Sequence, residues 1–163
     1  MSRRFLAKSW RPGAAAALVA LGLFVASGTA GAASPLQTIT GSFTEQQPSL
    51  AIRQAGSNII VDFTAPVVFN GGIAGTATST GTEIVGATGD FTVHAVVTCA
   101  CTVDGRPGTV QLVFNGTGSL VTQQKQGQFQ VSGSNGLDDL HGTGTFTQSG
   151  LTGDYLAQIH FAP

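Results

Sequence analysis

Three groups of residues could do chemistry here: the run Asp138-Asp139-Leu140-His141, the pair Cys99 and Cys101, and the polar residues Glu45 and Tyr155. Two carboxylates beside an imidazole are the parts of a general acid/base set. On a helical turn, however, adjacent side chains diverge by about 100 degrees, so the two carboxylates would not share a substrate. The surrounding sequence, V-S-G-S-N-G-L-D-D-L-H-G-T-G-T-F from Val131 to Phe146, accounts for them structurally. Asn135 is placed to cap a single helical turn, Asp138 to complement its N-terminus and Gly142 to end it, with Leu137 and Leu140 on one face. Such a turn would plug the end of a β-structure. No G-x-S-x-G elbow, H-E-x-x-H helix or Gly-rich phosphate loop occurs elsewhere, so no catalytic residue is assigned.

Cys99 and Cys101 are the only cysteines. In a strand, residues two apart point the same way with Cα atoms about 6.6 Å apart, near the upper limit for a disulfide. An oxidising exterior favours a local disulfide, with two free buried thiols, or soft-metal or redox chemistry, as the alternatives. A metal would want a third ligand, and His94 has the opposite strand parity. The expectation is therefore no metal and no cofactor. Glu45 shares the parity of Ile39 and Phe43, which aims it inward near a barrel mouth.

The elements that must position these residues begin after an export signal. A basic start, M-S-R-R-F-L-A-K-S-W-R-P-G, precedes 13 apolar residues from Ala14 to Ala26 and the small-residue pattern Ala30-Gly31-Ala32. The apolar run falls short of the ~20 residues that span a bilayer. Cleavage is expected after Ala32, by the general or the twin-arginine route, giving a signal peptide over 1–32 and one secreted domain over 33–163. That domain would keep three basic residues against eight acidic ones, a net charge of −5. It offers no footprint for nucleic acid or an anionic membrane surface.

Period-two alternation then runs along the chain, at Gln37 to Gln46, Leu50 to Arg53, Asn58 to Val68, Ile73 to Thr82, Asp90 to Val103, Thr109 to Gly116, Gly127 to Ser132, Gly142 to Thr147 and Asp154 to Phe161. Turn signals such as Asn70-Gly71-Gly72 and Asp104-Gly105-Arg106-Pro107-Gly108 separate them. The pattern predicts an all-β protein, a closed antiparallel barrel of about eight strands. Its interior would be formed by residues such as Ile39, Ile59, Val61, Val97, Leu112 and Ile159. Because Ile73 to Thr82 is rich in Gly and Thr, a modest apolar cavity is expected on its side.

Three segments resemble the bacterial family called domain of unknown function 3224, whose fold is a barrel related to allene oxide cyclase. V-D-G-R-P-G-T-V-Q-L-V-F-N-G-T, Val103 to Thr117, is similar to the family's G-R-x-G-x-F-x-L hairpin, and G-S-N-G-L-D-D-L-H-G-T-G, Gly133 to Gly144, to its S-G-x-x-x-L-x-G-x-x-G turn. Phe69 to Gly75 is similar to its F-x-G-x-x-x-G segment. Phe114 stands where the family pattern often has His. The resemblance implies an allene oxide cyclase-like fold and no particular activity.

The function expected is that of a secreted, non-catalytic barrel that binds a small apolar molecule or serves as an extracellular interaction module. Lumen candidates for contact with a ligand are Phe43, Glu45, Phe63, Phe114 and Tyr155. The alternative is a barrel isomerase or cyclase that mainly shapes its substrate. A homo-oligomer is the one further partner considered.

Overall fold

Inward apolar and outward Thr, Gln and Ser residues alternate along nine strands, and that alternation sets the architecture. The computed structural model describes residues 35–162, so the expected signal segment lies outside the described residues. The strands are β1 (Gln37–Glu45), β2 (Ser49–Ala55), β3 (Asn58–Gly71), β4 (Ile73–Val85), β5 (Asp90–Val103), β6 (Arg106–Ser119), β7 (Gln124–Ser134), β8 (Leu140–Ser149) and β9 (Thr152–Phe161). Each pairs antiparallel with its sequence neighbours from β2 through β9. Closure comes from β1, which pairs with β9 on one side and with the C-terminal half of β3 on the other. Eight strands thus form a closed antiparallel barrel, which leaves no open edge around its circumference.

The ninth strand does not belong to the wall. β2 pairs with the N-terminal half of β3, Leu50 opposite Phe63 and Ile52 opposite Val61, and projects beyond the barrel as a hairpin. All seven of its residues are exposed. The same projection explains Ile59, which is expected inside on parity but is 45% exposed. It keeps the inward parity opposite the buried Val85, but its other neighbour at that level is the exposed strand β2 and not a strand of the wall, while Val61 and Phe63 pack against the core.

Phenylalanine rings fill the lumen, and they lie over glycines of the neighbouring strand. Phe43 faces Gly153, Phe63 faces Gly81, Phe91 faces Gly118 and Phe129 faces Gly144 in register. In each pair a Cβ on the glycine would collide with the ring. The Gly-rich strand β4 therefore leaves no ligand-sized cavity on its side, because the ring of Phe63 occupies the space that Gly81 vacates and only a small void borders Ser79. Inside the barrel the remaining void is about 30 Å³, room for a single water.

One end is closed by residues 135–139. Leu137 and Leu140 are fully buried, and Leu137 seats against Gly108 and Gly133. The plug is not a capped helical turn. Asn135 has φ of 52°, a left-handed conformation that an N-cap does not adopt, and its amide donates to Thr109 Oγ1 at 3.2 Å. Asp138 accepts from the Gly136 amide at 3.1 Å. Gly142 does not terminate the turn either, since β8 already begins at Leu140 and pairs Gly142 with Ile159. The β5–β6 turn is tighter than its sequence suggests. Only Asp104 and Gly105, both with positive φ, lie between the strands, as in a two-residue hairpin loop matched to strand twist.

Candidate functional site at the open mouth

Charged and polar side chains of inward parity gather at the other end, where β1, β4, β7 and β8 reach the rim. Lys125 belongs to the parity of Gly127, Phe129 and Val131, and Glu83 to that of Val85, so both turn toward the barrel axis. Lys125 Nζ lies 3.0 Å from Glu83 Oε1, with both side chains 16% exposed. The ammonium also stands 5.7 Å from the Phe63 ring centroid and 5.9 Å from that of Phe91, within the range of a cation–π attraction. Opposite, Gln148 is buried and its amide donates to Glu45 Oε2 at 2.8 Å and to the Gly150 carbonyl at 3.0 Å. Among the described residues no Lys or Arg pairs with Glu45; the ion pairs are Arg53–Asp62, Arg106–Asp139 and Lys125–Glu83.

Apolar side chains rise around these polar groups. A recess of about 400 Å³ is lined by Leu50, Phe63, Leu120 and Leu151 with Glu45, Glu83, Lys125 and Gln148 at its base, a size that falls within the roughly 300–1,000 Å³ of small-molecule sites. Seven of the nine exposed large apolar residues among those described sit at this end, on β2, on the adjoining ends of β3 and β4, or in the β6–β7 and β8–β9 turns. Scattered exposed leucines need no explanation, but a concentration of them around half-buried charges does.

Of the sequence-derived lumen candidates, Phe43, Glu45, Phe63 and Phe114 border the small void beneath this recess. Tyr155 is elsewhere. Its hydroxyl accepts from the buried Ile73 amide at 2.7 Å and has the carbonyls of Ile73, at 3.1 Å, and Asn70, at 3.3 Å, as acceptors. It ties β9 to the β3–β4 turn near the closed end. Burial raises its pKa above the usual 10.0, and the bond from the Ile73 amide offsets part of that. Glu83, Lys125 and Gln148 were not anticipated as site residues: each lies just outside the stretch read as a strand, and only the longer β4, β7 and β8 bring them into the inward parity.

The remaining candidates for chemistry are dispersed. Asp138 and Asp139 diverge, the first onto the Gly136 amide and the second onto the Arg106 guanidinium at 3.1 and 3.2 Å. His141 points outward instead, across the sheet from His160. The sulfurs of Cys99 and Cys101 lie at disulfide distance on the inner face of β5, with Cα atoms 5.2 Å apart and both residues buried. His94 is on the outer face, bonded to Asn115 at 2.9 Å.

The fold and mouth define a small closed barrel whose inward charged groups, Glu45, Glu83 and Lys125, gather at one open end. A protein of unknown function from the DUF3224 family of Shewanella oneidensis has a similar fold: the solved structure superposes with a TM-score of 0.63 at 19% identity, covering 79% of this chain and 99% of that one. At that identity the likeness concerns the fold. No family model and no curated protein matches the sequence.

Proposed function

We propose that this is an exported, non-catalytic binding module that holds a small, mainly apolar molecule at the mouth of the barrel. The observation that carries the reading is the recess of about 400 Å³, with leucines and Phe63 as walls and the carboxylate of Glu45 at its base. Leucines left in water there would gain roughly 25 cal/mol for each Å² that a ligand covers. Glu45 has a neutral amide as its hydrogen-bond partner, which suits a ligand with an apolar body and one N–H or O–H donor. The ligand sits above the phenylalanine layer rather than among it.

Export is supported by the basic, apolar and small-residue sequence of positions 1–32. The face pattern supports a barrel that works in water, since its apolar residues point inward and its Thr and Gln residues outward, the reverse of a membrane-spanning barrel. An isomerase that shapes its substrate within the lumen needs a chamber the substrate can enter there, and the void of about 30 Å³ beneath the recess is too small for that.

Titration with phenylnaphthylamine, an apolar fluorophore with one N–H donor, tests the reading. One-site saturation is expected. The double variant Leu50→Ser/Leu120→Ser, altered at positions 51% and 57% exposed, should lose about tenfold in affinity, worth ~1.4 kcal/mol, with its melting temperature little changed. Absence of saturable binding, or a double variant that binds like the parent, contradicts the proposal.

A further inference from the structure

We propose a second binding site, independent of the mouth, in which His141 and His160 together chelate a divalent transition-metal ion on the outer face of the β8–β9 hairpin. The two histidines are direct cross-strand partners. Both have the outward parity of their strands, His141 exposed and His160 half-buried, so an ion from solvent reaches the rings without any opening of the barrel. Side chains directly opposite in an antiparallel pair have Cβ atoms about 4.5–5.5 Å apart, close enough to act on one object between them.

The separation of the rings fits a shared ion. Metal–nitrogen bonds of ~2.0–2.1 Å meeting at a tetrahedral angle place two imidazole centroids about 5.2 Å apart. Here the centroids are 5.8 Å apart with the ring planes tilted by 36°, a difference that small side-chain rotations remove. The hydrogen bond that holds His94, to Asn115, has no counterpart at His141 or His160 among the described residues, so the ring nitrogens are not committed to another side chain. Flanking partners in the ladder are Ser132, Thr143 and Gln158, all uncharged, and the cation on the neighbouring Phe161, Arg106, is paired with the Asp139 carboxylate.

Donor chemistry sets the class of metal. Two imidazoles suit Cu(II), Zn(II) or Ni(II) and are poor ligands for Ca(II) or Mg(II), which take oxygen. Among the described residues no cluster of three or more His, Cys, Asp or Glu is arranged to hold a metal. The site is therefore a two-ligand chelate whose other coordination positions are filled by water or by a donor from another molecule. Cu(II) should bind more tightly than Zn(II), following the usual order for nitrogen sites.

The test titrates the purified protein with Cu(II), and separately with Zn(II), by calorimetry and, for copper, by electron paramagnetic resonance. One Cu(II) per chain with nitrogen hyperfine structure is expected. His141→Ala and His160→Ala should each weaken binding at least about tenfold, the lower bound for losing even an outer-shell partner, whereas His94→Ala should bind like the parent. All three positions lie on the outer face, so far-ultraviolet circular dichroism should show each variant folded. The double variant His141→Ala/His160→Ala measures binding elsewhere in the chain. If the parent binds no more tightly than this double variant, or if His94→Ala is the change that removes binding, the site does not exist.

Discussion

The two ends of the barrel solve the same problem in opposite ways. At the plugged end, Leu137 and Leu140 are fully buried, and the polar atoms that accompany them have fixed local partners: the Tyr155 hydroxyl with the Ile73 peptide, the Asp138 carboxylate with the Gly136 amide. At the mouth, Leu50 and Leu120 are more than half exposed while Lys125 and Glu83 are nearly buried. Burial of charge and exposure of leucine at one place run against stability at both counts. Such a departure is expected where a surface is kept for a partner and not for the fold itself. Burial at the closed end serves the fold, whereas the exposed leucines and enclosed charges of the open end support the proposed binding there.

Substitutions at the two ends should break along that line. The largest effect is expected for Leu137→Ala, which empties a plug position fully excluded from solvent. Chemical denaturation should show a loss of about 3 kcal/mol, with phenylnaphthylamine affinity retained in the folded fraction. A loss of binding without loss of stability would reverse the assignment of the two ends.

Tyr155→Phe should cost about 1–3 kcal/mol, because it leaves the buried Ile73 amide without its acceptor. It should also remove an alkaline dependence of stability. Burial raises the Tyr155 pKa above 10.0, so below pH about 10 the phenol is neutral in both folded and unfolded chains and favours neither. Above that the unfolded chain loses the proton first, and stability falls until the folded-state pKa is passed. Tyr155 is the only tyrosine, so ultraviolet titration reads it alone. A parent and variant with parallel stability profiles above pH 10 would contradict this.

Lys125→Met should have the smallest effect on stability, about 1 kcal/mol. The pair is neither fully exposed, where such bridges contribute ~0.2–1 kcal/mol, nor fully desolvated. Its effect on phenylnaphthylamine binding should be the larger of the two. A stability loss above that of Leu137→Ala would make the ion pair a structural element and not part of a site.

Much of the barrel was legible because its signal is local. Alternation of inward and outward residues along β5, from Phe91 to Val103, needs no knowledge of neighbours, and the same holds for β1 and β9. Strand ends were read too short in β2, β3, β4, β6, β7, β8 and β9, several of them at Gly, Pro, Asn, Gln or Lys, which carry little β signal of their own, and pairing extends the strand. Ile59 was misplaced because parity fixes a face but not what covers it, and beside Ile59 the second neighbour of β3 is the exposed β2 in place of a wall strand. Likewise the cavity expected beside β4 depended on what lies across the sheet, and the Phe63 ring over Gly81 is a register fact that one strand does not contain. At the site, parity aimed Glu45 and Phe63 inward, whereas Glu83, Lys125 and Gln148 fell just beyond the strand ends as read, so their inward direction appeared only once pairing had lengthened β4, β7 and β8. Tyr155 shares the inward parity but spends its hydroxyl on a peptide 82 residues away in sequence.

The most direct measurement of the central claim is amide chemical-shift mapping of the folded protein during a phenylnaphthylamine titration. Saturating shifts should cluster at Glu45, Leu50, Phe63, Leu120, Lys125 and Leu151, with the plug from Asn135 to Asp139 unmoved. Shifts centred on the plug or on the Thr- and Gln-rich outer face, or none at all, would contradict a binding site at the mouth.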